Sequence, residues 1–145
     1  MSSGGMFPVT VDVLTKNLTF LEARHRIIAN NIANANTPSY KASEAPMDEF
    51  RRALGAAIEA HRKDPSKPFV LSQTEHISDG SGGLVVRPLV VKGAGASVLR
   101  HDGNNVNLEK EMTDLAENTV LYRTMSDLLR KQFMMLQTAI RERAE

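Results

Sequence analysis

Two stretches, one near each end of the chain, carry residues at steps of three and four without a slip, and this spacing decides the fold class. The first seam runs Val11, Leu14, Leu18, Leu21, His25, Ile28, Ile32 and Ala35. The second runs Leu108, Met112, Leu115, Thr119, Tyr122, Ser126, Leu129, Phe133, Leu136 and Ile140. Such alternation belongs to a helix packed lengthwise on another helix. At about 1.5 Å per residue, a first helix of roughly 26 residues is a rod near 40 Å long and a second of roughly 37 is near 55 Å. The expected fold is mainly α: two long terminal helices pairing as a coiled coil, with a short helix and an extended, loop-rich middle segment.

Each helix carries a further apolar row on nearly its opposite side: Val13, Phe20 and Ile27 on the first, and Leu121, Met125, Leu128 and Met135 on the second. One partner needs one stripe; two stripes require two partners or full burial in a compact bundle. Two helices alone cannot bury both rows of both helices, and exposed stripes of that length mark an assembling protein. Val13, Phe20, Ile27, Leu121, Leu128 and Met135 are therefore candidate subunit contacts. The helix ends have their own signals. Pro8 and Thr10 mark the first start, with Thr10 as N-cap and Asp12 in the first turn. Asn107 is the N-cap expected for the last helix. Glu109, Glu111 and Asp114 open that helix, Arg141 and Arg143 close it, and Asp127 and Lys131 form an i,i+4 pair.

Between the first helix and the middle lies Ala29-Asn-Asn-Ile-Ala-Asn-Ala-Asn-Thr-Pro-Ser-Tyr-Lys41. Asparagine is a mediocre helix former because its amide competes for nearby backbone groups. Asn30, Asn31, Asn34 and Asn36 instead offer donors and acceptors to a helix end or to a neighbouring chain. Thr37 before Pro38 is pushed out of the α region, so the helix stops by about Asn36. Pro38 and Ser39 take the central positions of a turn, and Tyr40 presents an apolar body with a polar tip. Asn30, Asn31, Asn34, Asn36, Pro38 and Tyr40 complete the candidate subunit contacts, at a hinge between helical stem and middle.

The middle starts with a short helix over about residues 44–62, capped by Ser43, with Pro46 in its first turn and Met47, Phe50, Leu54, Ile58 and His61 at helical spacing. Residues 63–101 are then punctuated by Pro65, Pro68, Pro88, Gly80, Gly82, Gly83, Gly93 and Gly95. Phe69–Leu71 and Leu84–Val91 are β-prone, and Pro88 limits the second run to an edge or irregular strand. Extended chain with a hairpin is the expectation. The divisions are 1–42 for the N-terminal helix and asparagine signature, 43–105 for the middle, and 106–145 for the C-terminal helix.

Several function classes find no support. A net charge of +1 without a basic block gives no nucleic-acid footprint. The chain has no cysteine, which excludes disulfides and thiolate metal sites and suits passage between reducing and oxidising compartments. No positively charged and apolar leader opens the sequence, so no cleavable signal peptide is expected, and no run approaches a membrane span. The stretch from Asp102 fails as a calcium loop, with Val106 at the third ligand position and Thr113 where the closing Glu belongs. His61, His76 and His101 are too scattered for a metal motif, His25 is expected packed or hydrogen-bonded, and neither a phosphate loop nor a nucleophile elbow occurs. The expectation is a non-enzyme without cofactor or metal. Beside a self-assembling structural protein stands a soluble coiled-coil adaptor or regulator binding a partner helix in the cytoplasm. A small-molecule domain on the middle strands lacks residues for a pocket.

Asn31-Ile-Ala-Asn-Ala-Asn-Thr-Pro-Ser-Tyr-Lys41 resembles the N-terminal signature of the bacterial flagellar axial proteins, the rod, hook and hook-associated family. The short length, Met47-Asp-Glu-Phe50, and Asp102-Gly-Asn-Asn-Val-Asn-Leu-Glu-Lys-Glu111 point within it to the proximal rod type. The resemblance covers roughly residues 10–54 and 97–143. It departs at Ser39, where the family usually has Gly. It implies a structural subunit of the basal-body rod, exported through the flagellar type III apparatus without a cleaved signal into the periplasm-spanning rod. It further implies that the terminal helices pair and stack helically with neighbours to transmit torque. Partners implied are other copies, other rod proteins and the adaptor joining rod to membrane ring.

Overall fold

The structure, a computed structural model, describes residues 9–91 and 101–142. Pro8, Gly93, Gly95 and Arg143, which figure in the sequence expectations, lie outside the described residues. Seven elements follow in order: α1 (Val9–Ala33), β1 (Ser43–Glu44), α2 (Met47–Lys63), β2 (Ile77–Gly80), β3 (Gly83–Val86), β4 (Leu89–Val90) and α3 (Leu108–Glu142). The chain is mainly helical, and α1 and α3 pack on one another. Their direction is antiparallel, because partners climb α3 as they descend α1: Asn31 meets Glu111, Arg24 meets Asp114, and the Leu21 carbonyl meets Asn118. At about 1.5 Å per residue, α1 spans about 37 Å and α3 about 52 Å.

Along α1 the expected seam is the buried one: Val11, Leu14, Leu21, Ile28 and the following Ala35 are all nearly inaccessible. Leu18 and Ile32 of the same seam are half-buried, and His25 is exposed at the rim of the interhelical groove. On α3 the seam departs at its first turns and again further along. Leu108, Met112, Tyr122, Phe133 and Ile140 are exposed, while Glu111 and Asn118 are buried. The end of α1 that these turns meet is lined by amides, so polar residues fill the contact. Asn107 caps α3 as expected, its Oδ1 accepting from the Lys110 amide at 3.1 Å. Thr10 is not a cap, since the helix already includes Val9. Asp127 pairs with Arg130 at i+3 rather than with Lys131, and at 74% and 73% exposure that pair adds little.

The middle segment folds onto the other side of α1. Phe20 is 1% exposed and stacks on Phe50, ring centroids 4.1 Å apart and planes 11° from parallel. Ala53, Ala57, Leu71 and Ile77 complete this cluster. Phe20 is therefore a core residue of the single chain and not part of an outward stripe; the middle segment covers the row that two helices alone could not. Val13 and Ile27 are half-buried. Ser43 does not cap α2. It lies in β1, which pairs antiparallel with β4, and Pro46 holds the N-cap position without a side-chain cap bond.

The β-prone run 84–91 is broken at Arg87-Pro88 and serves two sheets. β3 pairs with β2 as a hairpin in register Ile77 to Val86 and Gly80 to Gly83, and β4 crosses to β1. Phe69–Leu71 is not a strand, although Leu71 is buried. The Leu71 amide instead donates to Asp79 Oδ2 at 2.8 Å, and Lys16 of α1 donates to Asp79 Oδ1. With its side chain 1% exposed, Asp79 ties α1, the hairpin and the 69–71 segment together.

Candidate functional site: the asparagine junction and the outer face of α3

The asparagine cluster ends α1 and then binds the chain back onto itself. Backbone bonds from Asn34 to the Asn30 and Asn31 carbonyls and from Ala35 to the Ile32 carbonyl tighten the last turn. Asn31 is 1% exposed: its Nδ2 donates to the Ser43 carbonyl at 2.7 Å, while its Oδ1 accepts from the Ser43 amide at 3.0 Å and the Tyr40 hydroxyl at 3.1 Å. Asn30 Nδ2 donates to the same hydroxyl at 3.0 Å. Asn34 Nδ2 donates to the Asn30 carbonyl at 2.8 Å, and its Oδ1 accepts from Thr37 Oγ1 at 3.2 Å. Three of the four asparagines thus serve the chain's own backbone and Tyr40. Asn36 and Pro38 are exposed, and Asn36 makes no side-chain hydrogen bond among the described residues.

The segment before α3 completes this junction, and it was not among the candidate contacts read from the sequence. Asn104 is fully buried, with Nδ2 aimed at the carbonyls of Asn34, Ala35 and Thr37 at 3.0, 3.1 and 2.8 Å. Its Oδ1 accepts from the Val106 amide at 2.8 Å. Asn105 Oδ1 accepts from the Ala42 amide at 2.7 Å, and Lys41 Nζ donates to the Gly103 carbonyl at 2.7 Å. A small apolar cluster of Ala35, Ala42 and Val106, flanked by Tyr40 and Val91, lies under these bonds. The only hint in the sequence was a second run rich in Asn, Asp and Gly, which by itself reads as a turn before a helix.

Ser39 sits where the two loops meet. Thr37–Tyr40 is a turn closed by the Tyr40 amide on the Thr37 carbonyl at 3.3 Å, with Ser39 at its third position and φ +60°. That position wants glycine in a turn of type II geometry. The Ser39 amide donates to the Asp102 carbonyl at 2.9 Å, and a Cβ on Gly103 would meet Ser39 at 3.7 Å. Left-handed backbone costs an ordinary residue about 1–2 kcal/mol, partly offset because serine restricts the unfolded chain more than glycine. Ser39→Gly is thus expected to raise stability by about 0.5–1 kcal/mol, read as a higher melting temperature with an unchanged circular dichroism spectrum.

Glu111 adds a buried charge to the junction, at 5% exposure. Burial pushes its carboxyl above the ordinary value of 4.5, against opposing pulls from the Asn31 side chain and Lys110. A carboxyl raised in the folded state binds its proton more tightly there than in the unfolded chain. Its contribution is therefore full below the unfolded value and is lost as pH rises through the folded one. Relative to Glu111→Gln, the native chain is expected to lose stability between about pH 4 and neutrality, and thermal melts of both across that range test this.

On α3, Leu121, Leu128 and Met135 are 40%, 44% and 48% exposed. They stand seven residues apart on one helix face, joined by exposed Val120 and Met134. Among the described residues no group of His, Asp and Glu is placed to hold a metal, and no helix is long and apolar enough to cross a membrane. What the arrangement offers is hydrogen-bonded backbone and an apolar helix face.

The family model for flagella basal body rod protein matches residues 21–41, the second half of α1 and the whole asparagine turn. Among curated proteins, the chain is similar to the flagellar basal body rod protein FlgB of Cereibacter sphaeroides (strain ATCC 17029 / ATH 2.4.9), 32% identical over 86% of this chain and 88% of the relative. It is similar to FlgB of Bacillus subtilis (strain 168), 28% identical over 93% and 95%. FlgB of Borrelia hermsii is 27% identical over 94% and 98%.

Proposed function

The chain belongs to the flagellar basal body rod protein FlgB family and is a structural component of that rod, and we propose that it assembles there through the outer face of α3. Assembly with other rod components follows from the family. In the reading proposed here, the chain occupies the proximal rod, and subunits stack helically so that paired α1 and α3 carry torque. The observation that supports it most is the row Leu121, Leu128 and Met135 left uncovered on α3. Single exposed apolar residues are ordinary, but a continuous row along a helix is not. The exposed Asn36–Pro38 turn lies beside the stem and offers a second, polar contact.

The remaining partners in this reading are the adaptor between rod and membrane ring, further copies of the chain, and the flagellar type III apparatus. Export without a cleaved signal into the periplasm suits a chain with no cysteine, which cannot be trapped by wrong disulfides on the way. Its half-exposed position means that Leu128→Glu is expected to shift the stability of the isolated chain by no more than about 0.5 kcal/mol. Motility of cells relying on Leu128→Glu is nevertheless expected to be lost, because a charge would enter an apolar contact. Full motility of Leu128→Glu combined with Met135→Glu would contradict the assignment of this face.

A further inference from the structure

Beside the row of Leu121, Leu128 and Met135, α3 has another exposed flank, and it is apolar only at its two ends. Leu108 and Met112 are exposed in the first turns, Met112 at 59%, and Ile140 is 65% exposed in the last. At about 100° per residue, these three lie within about 80° of one another around the helix, and Leu108 and Ile140 are about 48 Å apart along it. Between them the same flank carries Thr119, Arg123, Ser126 and Arg130, and the Tyr122 hydroxyl is held by Glu22 at 3.1 Å. A neighbour lying lengthwise here would cover a polar middle. Two separated apolar ends suit contacts made end by end.

Charge decides which ends meet. Glu109 follows Leu108 and Arg141 follows Ile140, both exposed, and neither makes an ion pair among the described residues. Start against start would bring Glu109 to Glu109, and end against end would bring Arg141 to Arg141. Start against end sets opposite charges together. The helix dipole acts in the same sense, because the partly positive start of one α3 then meets the partly negative end of another.

We propose that two copies of this chain join head to tail, the last turns of α3 of one copy lying beside the first turns of α3 of the next. Ile140 then covers Leu108 and Met112, and Arg141 meets Glu109. Such a contact uses different surfaces on its two partners and leaves the opposite end of each copy open, so it propagates instead of closing on a pair. It gives assembly a direction, where the row of Leu121, Leu128 and Met135 supplies contact area at the side. This inference rests on the chain being an assembling rod subunit.

The chain has no cysteine, so introduced ones report the contact cleanly. Full-length Met112→Cys and Ile140→Cys chains are purified, mixed and mildly oxidised, with each chain alone as control. A disulfide closes only when the two Cα atoms come within about 7 Å, and in one chain these positions are about 42 Å apart. The link between positions 112 and 140 of different copies is expected to exceed both like-with-like links several-fold, read by mass spectrometry of the linked peptides. A chain carrying both substitutions is expected to give a ladder of multimers. Arg141→Glu on the Ile140→Cys chain is expected to cut the mixed link about two- to fivefold, the worth of an exposed ion pair, and Glu109→Arg on the Met112→Cys chain is expected to restore it. If either cysteine variant melts lower than the native chain, Leu108→Cys or Gln137→Cys takes its place. Like-with-like links equal to or above the mixed one, no link at all, or a charge swap that fails to restore the yield would overturn the head-to-tail contact. Absence from basal bodies of a chain that forms the mixed link would instead defeat the rod reading itself.

Discussion

Asn104→Ala is expected to destabilise the isolated chain by about 3–4 kcal/mol. The side chain offers two N–H protons to three carbonyls and one oxygen to the Val106 amide, all at its fully buried position. Each buried group left without its partner costs about 1–3 kcal/mol. Water reaching the more open Thr37 and Asn34 recovers part of the loss. For a chain of this size, about 2–4 °C of melting temperature per kcal/mol translates the change into a drop of about 6–16 °C. Asn104→Asp is expected to be no milder, because it sets a carboxylate against three carbonyls. A melting curve for Asn104→Ala that overlays the native one would mean that α1 and α3 are not joined through this amide.

Phe20→Ala is the second large effect, about 3–5 kcal/mol by the measure of buried aromatic truncations. Phe20 fills the space between α1 and the middle segment, stacked on Phe50 and flanked by Ala53, Ala57, Leu71 and Ile77. Alanine there opens a cavity that the hairpin cannot close without disturbing the bonds of its Asp79 to Lys16 and the Leu71 amide. The expected signature is lower thermal stability of the isolated chain. If Phe20 instead faced a neighbouring subunit, the isolated chain would melt as before and only incorporation into the rod would fail. Circular dichroism melts of Phe20→Ala separate the two cases.

The terminal helices were legible because apolar spacing reports them directly, and Val11, Leu14, Leu21 and Ile28 are buried as the α1 seam requires. The same rule failed on α3, where Tyr122, Phe133 and Ile140 of the expected seam are exposed, and it failed most plainly at the start of that helix. There the contact is made by Glu111 and Asn118, which no apolar pattern can flag, and Leu108 and Met112 face outward instead. Phe20 was misplaced for a related reason: a second stripe shows that a second partner exists, but not whether it is another chain or a later part of the same one. A hairpin was expected in the middle, but its β2 strand escaped because Ile-Ser-Asp-Gly is poor in strand-forming residues and owes its place to Ile77 in the core and Asp79 on Lys16. The asparagine run was legible as a helix end with something to bind. Its main partner, Asn104, lies some 70 residues away, a separation that local reading cannot bridge.

The most direct measurement is quantitative mass spectrometry of basal bodies isolated from flagellated cells that carry the chain and from cells in which its gene is deleted. The chain is expected in the intact basal body together with other rod components. Cells lacking it are expected to be non-motile and to yield no completed rods. Motile deletion cells with complete rods, and a chain recovered only outside basal bodies, would contradict the assignment to the rod.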